Sequence, residues 1–343
     1  MRSTLLTATL ALGISHSAAA ATWLTAMYGV DSPSCGTKTA PCRSISQAIA
    51  NAAASDTILV GPGYYGDVNA NHSFDDPGDE AAEGGAGCDC LVNVNKAVTL
   101  KSRDGANVTV VGSTLDVKSA LAVTASGATI GGPQNGFTLR GASQHGLRVD
   151  GAASGVRVIG NVADSNNSHG FQVDGNGAVV TGNRAFQNVG DGFDFTGSGI
   201  VASGNVASAN QQSGFVVLNG QADLQKCVAS GNAQYGLAAV TAGMTLRSVT
   251  AAGNGFAGVL YVVSATGSVN GSTLLGNGFA DGDHCGISNQ AGVAIDASGD
   301  YWGSAGGPGS GSADLACVNG GGSSLSTAPF KTREIKVPVK PLR

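Results

Sequence analysis

Asn166-Asn-Ser-His-Gly-Phe171, Asn188-Val-Gly-Asp-Gly-Phe193, Asn210-Gln-Gln-Ser-Gly-Phe215, Asn232-Ala-Gln-Tyr-Gly-Leu237 and Asn254-Gly-Phe-Ala-Gly-Val259 repeat one pattern at a spacing of 22 residues. Each opens on asparagine, carries glycine four positions later and follows it with an apolar residue. A fixed period of this length marks a solenoid of stacked units. A second column, Asn161, Asn183 and Asn205, runs five residues ahead of the first and breaks at Cys227 and Val249. One unit reads as three short strands, over residues 170–174, 178–181 and 183–186. Alternation in the first puts Phe171 and Val173 on one face and Gln172 and Asp174 on the other. Strands of successive units then lie parallel, about 4.8 Å apart, with like side chains above one another. Stacked asparagines bond amide to amide and hold the turn backbone, so both columns read as structural. For that reason Asn166-Asn-Ser168 is a poor glycosylation sequon.

The composition agrees. Fifty-four glycines, 12% charged and 5% aromatic residues in a chain of 343 suit short strands and tight turns, and no Gly-X-Y triplet suggests collagen. The whole length is expected to form a single domain, residues 21–330, behind a leader at 1–20 and ahead of a basic tail at 331–343. The leader reads as a secretory signal: Arg2, an apolar run from Leu5 to Ile14, then Ala18-Ala-Ala20. An extracytoplasmic monomer is expected, with no transmembrane segment. A net charge of −5 offers nothing to nucleic acid or to an anionic membrane. Seven cysteines in an exported chain point to disulfides. The expected pairs are Cys35 with Cys42 and Cys285 with Cys317, Cys88 and Cys90 being left open. Cys227 reads as a buried free thiol filling a gap in the asparagine stack.

A stacked coil needs its open end covered. Residues 44–52 place Ile45, Ala48, Ile49 and Ala52 on one helical face, suited to capping the first coil within a cap spanning about 21–66. A strand at Thr57-Ile-Leu-Val60 and a turn at Gly61-Pro-Gly63 follow. The run YGVDSPSCGTKTAPCRSISQAIANAAASDTILVGPGYYGD resembles the N-terminal region of secreted right-handed parallel β-helix proteins of the pectate-lyase-like superfamily. Pro41, Ser44, Ile45, Ala48, Ile49, Asp56, Thr57, Ile58, Pro62, Gly63 and Tyr65 carry that resemblance. The 22-residue units resemble the superfamily's repeat, and Asp300-Tyr-Trp-Gly-Ser-Ala-Gly-Gly-Pro308 resembles its closing motif. The resemblance implies an all-β right-handed parallel β-helix with a short capping helix, Trp302 packing on the final turn. Because the superfamily holds pectate lyases, alginate lyases and epimerases, polygalacturonases and adhesins, it leaves function open.

Chemistry is sought where outward columns depart from the repeat. Just before the repeat glycine stand His145, His169, Asp191, Ser213 and Tyr235, then Ala257. Two after it come Arg148, Gln172, Asp194, Val216, Ala238 and Leu260. Four after it come Asp150 and Asp174, then Thr196, Leu218 and Val240. The coils spanning 145–194 are polar and ionisable here, and later ones turn apolar. The patch is about 10 Å tall along the axis and fits a polysaccharide. His169, Asp191, Asp194 and Arg148 are the catalytic candidates, and His145, Asp150, Gln172, Asp174 and Tyr235 the substrate-binding ones. Stacked carboxylates would raise one another's pKa, as an acid catalyst requires. By analogy with β-helix relatives, Arg148 and the histidines would suit a uronan lyase or epimerase, and the carboxylates a glycosidase. The alternatives are a solvated sheet face and a non-enzymatic surface, adhesion or structural scaffold, for which the apolar strip Val216, Ala238 and Leu260 would be a docking surface or lie under a loop.

A second constellation lies in Asp67, Asn69, Asn71, Ser73 and Asp75, whose alternate oxygens match the spacing of a calcium loop. His72 stands where that loop needs glycine, and Gly78 where it needs its bidentate acid, leaving Asp79 or Glu80 to substitute. Seven of the chain's 23 acids fall between residues 67 and 89, which fits either a calcium ion or a solvated loop. The tail either runs along the last coil or hangs free.

Overall fold

The computed structural model describes residues 19–67, 69, 71, 79–80, 88–113 and 117–338. The leader expected at 1–20 lies almost wholly outside them, as do Ser73, Asp75 and the last five residues of the tail. Among the described residues, parallel strands form three sheets, of 12 (sheet A), 9 (sheet B) and 10 (sheet C) strands. Each turn of chain contributes one strand to each sheet. In one unit these are Phe171–Val173, Val179–Thr181 and Arg184–Phe186, close to the expected limits. The result is a right-handed parallel β-helix.

The repeat becomes intelligible at the corner between sheets B and C. Asn166 donates its Nδ2 to Oδ1 of Asn188 at 2.9 Å and to the carbonyl of Leu139, while its backbone N–H donates to that same Oδ1. Asn188, Asn210, Asn232 and Asn254 repeat this. A side chain on the glycine column would meet the ladder: a Cβ at Gly192 would sit 2.9 Å from Asn210 Nδ2 and 2.8 Å from Ala207 Cβ. These glycines are therefore required by close approach, and Ala185, Ala207 and Ala229 are small for the same reason. The residue before each asparagine sits at positive φ, as in Ser165, Gln187 and Ala209, which makes the sharp bend between strands. Inside the coil the apolar column stacks face to face, with Phe171, Phe193 and Phe215 ring centroids 4.8 and 4.7 Å apart.

Both ladders run further than the 22-residue spacing shows. Positive-φ residues Val263 and Ser264 lie in a coil one residue longer, so Asn277 continues the first ladder at a spacing of 23. It ends on Asp314, which accepts from Asn277 Nδ2 and from the amides of Gly276 and Asn277. The other ladder passes from Asn205 to the Cys227 thiol at 3.9 Å, then resumes as Ser272 and ends on Asp300. Cys227 is free and fully buried. Trp302 is likewise buried against the last coil.

The first coil is capped by the helix Ile45–Asn51, with Ser44 as N-cap and Ile45, Ala48 and Ile49 buried. Two charged residues clamp it. Glu80 accepts from the amides of Ile45 and Ser46, and Lys96 Nζ donates to the carbonyls of Ile49, Ala50 and Ala52. Burial pushes the Glu80 carboxyl up to about 7. Glu80 is fully buried and committed to the helix, and Asp67 and Asp79 are buried as well. Disulfides join Cys35 to Cys42 and Cys285 to Cys317 as expected, and Cys88 to Cys90. Residues 331–338 of the tail run beside the last coils, where Lys331 N–H bonds the Asp300 carbonyl and Ile335 pairs with Thr273.

Replacing Asn188 by alanine strips buried partners from Asn166, Ala163 and Asn210, and should cost on the order of 3 kcal/mol. Cys227→Ala removes only weak contacts and should cost about 1 kcal/mol. Urea midpoints followed by circular dichroism test the order; a larger loss at 227 would contradict the ladder's role.

Candidate active site

Sheet C brings together the residues singled out in the sequence. Arg148 pairs in register with Gln172, Gln172 with Asp194, and Asp194 with Val216. His145 and His169 stack, with ring centroids 5.4 Å apart and planes 5° from parallel. Gly190 makes room for this: a Cβ there would lie 2.9 Å from His169 Nδ1.

The patch is not uniformly solvated. Asp191 and Asp194 are only 7% and 9% exposed, and each carboxylate has a distinct environment. Asp174 is saturated, accepting from Gln172 Nε2 at 2.6 Å, Thr196 Oγ1 at 2.7 Å and Arg148 Nε at 3.4 Å. Asp191 holds the next coil through the Ser213 amide at 2.7 Å, and its Oδ2 lies 3.3 Å from His169 Nδ1. Asp194 Oδ2 lies 3.6 Å from His169 Nε2, while its Oδ1 is buried with no partner. Burial, reinforced by Asp191 and Asp174 and opposed by His169, pushes Asp194 up to about 6.

The backbone fixes the tautomer of His169. The Asp191 amide donates to Nδ1 at 3.0 Å, so the neutral ring carries its proton on Nε2, facing Asp194. Burial works against a second proton on this ring, but Asp191, Asp194 and Asp174 outweigh it and hold the imidazole above its ordinary value. His145 goes the other way: burial, then His169 and Arg148, push it down to about 4. The two stacked imidazoles are thus shifted in opposite directions. Donor atoms of His169, Asp191 and Asp194 lie within 4.8 Å of one another, close enough to surround a cation. With Nδ1 engaged by an amide, a metal on Nε2 must displace the proton there.

Arg148 is half exposed and lies 3.4 Å from Asp174 and 3.6 Å from Asp150. It opens on a polar cleft of about 320 Å³ lined by Cys88, Asp89, Lys118, Gln144, Arg148 and Asp150 among others. Tyr235 stands two coils past Asp191, outside the His–Asp cluster. Ala238 and Leu260 are 3% and 6% exposed while Val216 is half-buried, so the strip is largely covered rather than an open docking surface. In the other constellation, the Asn71 amide donates to Asp67 Oδ1 and Asn69 Oδ1.

The family model for the right-handed β-helix region matches residues 104–256 and 146–301, more than half of the chain. The chain belongs to the right-handed β-helix family. No curated protein matches it. Among solved structures, a rhamnogalacturonan lyase is 15% identical, with a TM-score of 0.62 over 89% of this chain and 86% of its own. Pectate lyase Pel9A is also 15% identical, with a TM-score of 0.57 over 91% and 78% respectively. At that identity the likeness establishes the fold.

Lys118 is the cleft residue that the repeat pattern misses. In this β-helix Ser119 pairs with His145 and Leu121 with Leu147, so Ala120 occupies the glycine column and hides the coil. The unpaired Asp194 oxygen gives a test. Its carboxyl is raised from 3.8 to about 6 in the fold, so the stability tied to protonation is present below pH 3.8 and lost as pH rises through 6. Asp194→Asn should therefore be more stable than wild type above pH 7, by on the order of 2 kcal/mol, with the gain shrinking toward pH 4. Urea midpoints at the two pH values check this; a gain independent of pH would contradict it.

Proposed function

We propose that this chain acts outside the cytoplasm on a polysaccharide, using the face of sheet C between His145 and Asp194 for proton transfer. The observation that carries the reading is the His169–Asp194 pair: a half-buried imidazole whose Nε2 lies 3.6 Å from a buried carboxylate on the neighbouring outward column, on the face that also opens on a polar cleft. A carboxyl raised to about 6 gives or takes a proton near neutral pH. The solved structures of similar fold include lyases of pectate and rhamnogalacturonan, which supports a glycan substrate. The disulfides support export.

The environments of the three acids favour proton removal and return at a sugar carbon, as in elimination or epimerisation, over glycoside hydrolysis. Hydrolysis uses two carboxyl groups flanking one bond. Here Asp174 is saturated and Asp191 is tied to the next coil, leaving Asp194 with His169 and His145. Arg148, shared between two acids, is placed to orient an anionic sugar rather than to neutralise one fully.

The test is proton NMR of alginate, polygalacturonate and neutral glycans incubated with the protein, with and without calcium. New unsaturated or epimerised signals are expected with one polymer, with the rate reduced at least 100-fold in Asp194→Asn. Binding without any change to the polymer, retained in Asp194→Asn, would replace the catalytic reading with a non-enzymatic scaffold.

A further inference from the structure

One unbroken row of backbone hydrogen bonds follows the ridge beside the His–Asp cluster. It runs from the Ser168 amide to the Gln144 carbonyl, then Gly190 to Ser168, Gln212 to Gly190, Gln234 to Gln212 and Phe256 to Gln234. The next residue along the chain in each coil is His145, His169, Asp191, Ser213, Tyr235 or Ala257. The ridge that carries the cluster thus continues into Tyr235, two coils or about 10 Å beyond Asp191 along the axis, and into Phe256 one coil further.

These two rings meet edge to face at 5.5 Å. The Gly278 amide bonds the Asn254 carbonyl and the Ala280 amide the Gly255 carbonyl, which sets Phe279 one coil beyond Phe256. Phe279 is 62% exposed, while Tyr235 and Phe256 are half-buried. Burial, then the Asp281 carboxylate, hold the Tyr235 hydroxyl above its usual value. Aromatic residues are scarce in this chain, and the phenylalanines of sheet C otherwise lie in the core. Three on one ridge, in line with the cluster, call for an occupant.

We propose that Tyr235, Phe256 and Phe279 form a stacking platform for the pyranose rings of the same polysaccharide, downstream of the His169–Asp194 pair. The inference rests on the proposed function. A pyranose chain presents alternating hydroxyl edges and apolar C–H faces, and amphipathic aromatic rings match the latter. A glycan unit advances by nearly one coil, so a chain laid along the ridge meets the acid–imidazole pair first and the rings two units later. The platform therefore adds affinity only for oligomers long enough to span both.

Isothermal titration calorimetry with disaccharide and hexasaccharide fragments of alginate, polygalacturonate and a neutral glycan tests this, on wild type, Tyr235→Ala, Phe256→Ala, Tyr235→Phe and His169→Ala. The expected result is a hexasaccharide preference in wild type that falls about tenfold in each aromatic-to-alanine variant and is kept in Tyr235→Phe. Unaltered circular dichroism shows that the variants are folded. Equal hexasaccharide affinity in wild type and both alanine variants, with binding lost in His169→Ala, overturns the platform and leaves the proposed function standing. Absence of binding by wild type to every fragment overturns both.

Discussion

The amide ladder at the corner of each coil is the constraint on which the rest of the molecule depends. A strand of three residues has too little surface to hold its place alone. Here each coil is pinned to the next by a side-chain amide that takes two hydrogen bonds from one neighbour and gives one to backbone behind it. That bond requires the coils to approach so closely that the facing position loses its side chain and the flanking one shrinks to alanine. Asparagine, glycine and alanine columns are one device seen at three positions.

The same device makes the site. Because corners are fixed, an outward column can carry nearly any side chain without altering the fold, and a neighbour one coil away is always about 4.8 Å distant. His169 and Asp191 partly imitate the ladder, each accepting the amide of the coil that follows. This orients both side chains by backbone rather than by flexible partners. What the ladder leaves over is Asp194, held beside His169 with one oxygen unpaired, a local cost of the kind found at functional sites.

Much of this was legible from residue spacing. The asparagine period, the inward phenylalanines, the capping helix and the Cys35 and Cys285 pairings all rest on local pattern, and local pattern is what a solenoid repeats. The cluster His145, Arg148, His169, Gln172, Asp174, Asp191 and Asp194 was found because columns stack. Its burial was not, since an outward position in a strand reads as wet until neighbouring coils are counted. Glu80 and Lys96 clamp the helix from 34 and more residues away, a distance that no period reports. Ala120 in place of glycine concealed Lys118, and one extra residue near Ser264 concealed Asn277.

Both ladders finish on an aspartate, Asp300 and Asp314, and this gives the solenoid a direction. An amide needs an acceptor ahead of it, whereas each aspartate accepts from the last ladder residue and offers no amide to a further one, and so closes the series. Between those stops and the helix cap, a whole coil is an exchangeable part. Inserting one complete unit between Asp194 and Tyr235 would preserve every corner bond and lengthen the ridge by about 4.8 Å, while a partial unit would break both columns at once. Evolution of such a chain can therefore adjust the reach of its surface by counting coils, leaving the chemistry at His169 and Asp194 untouched.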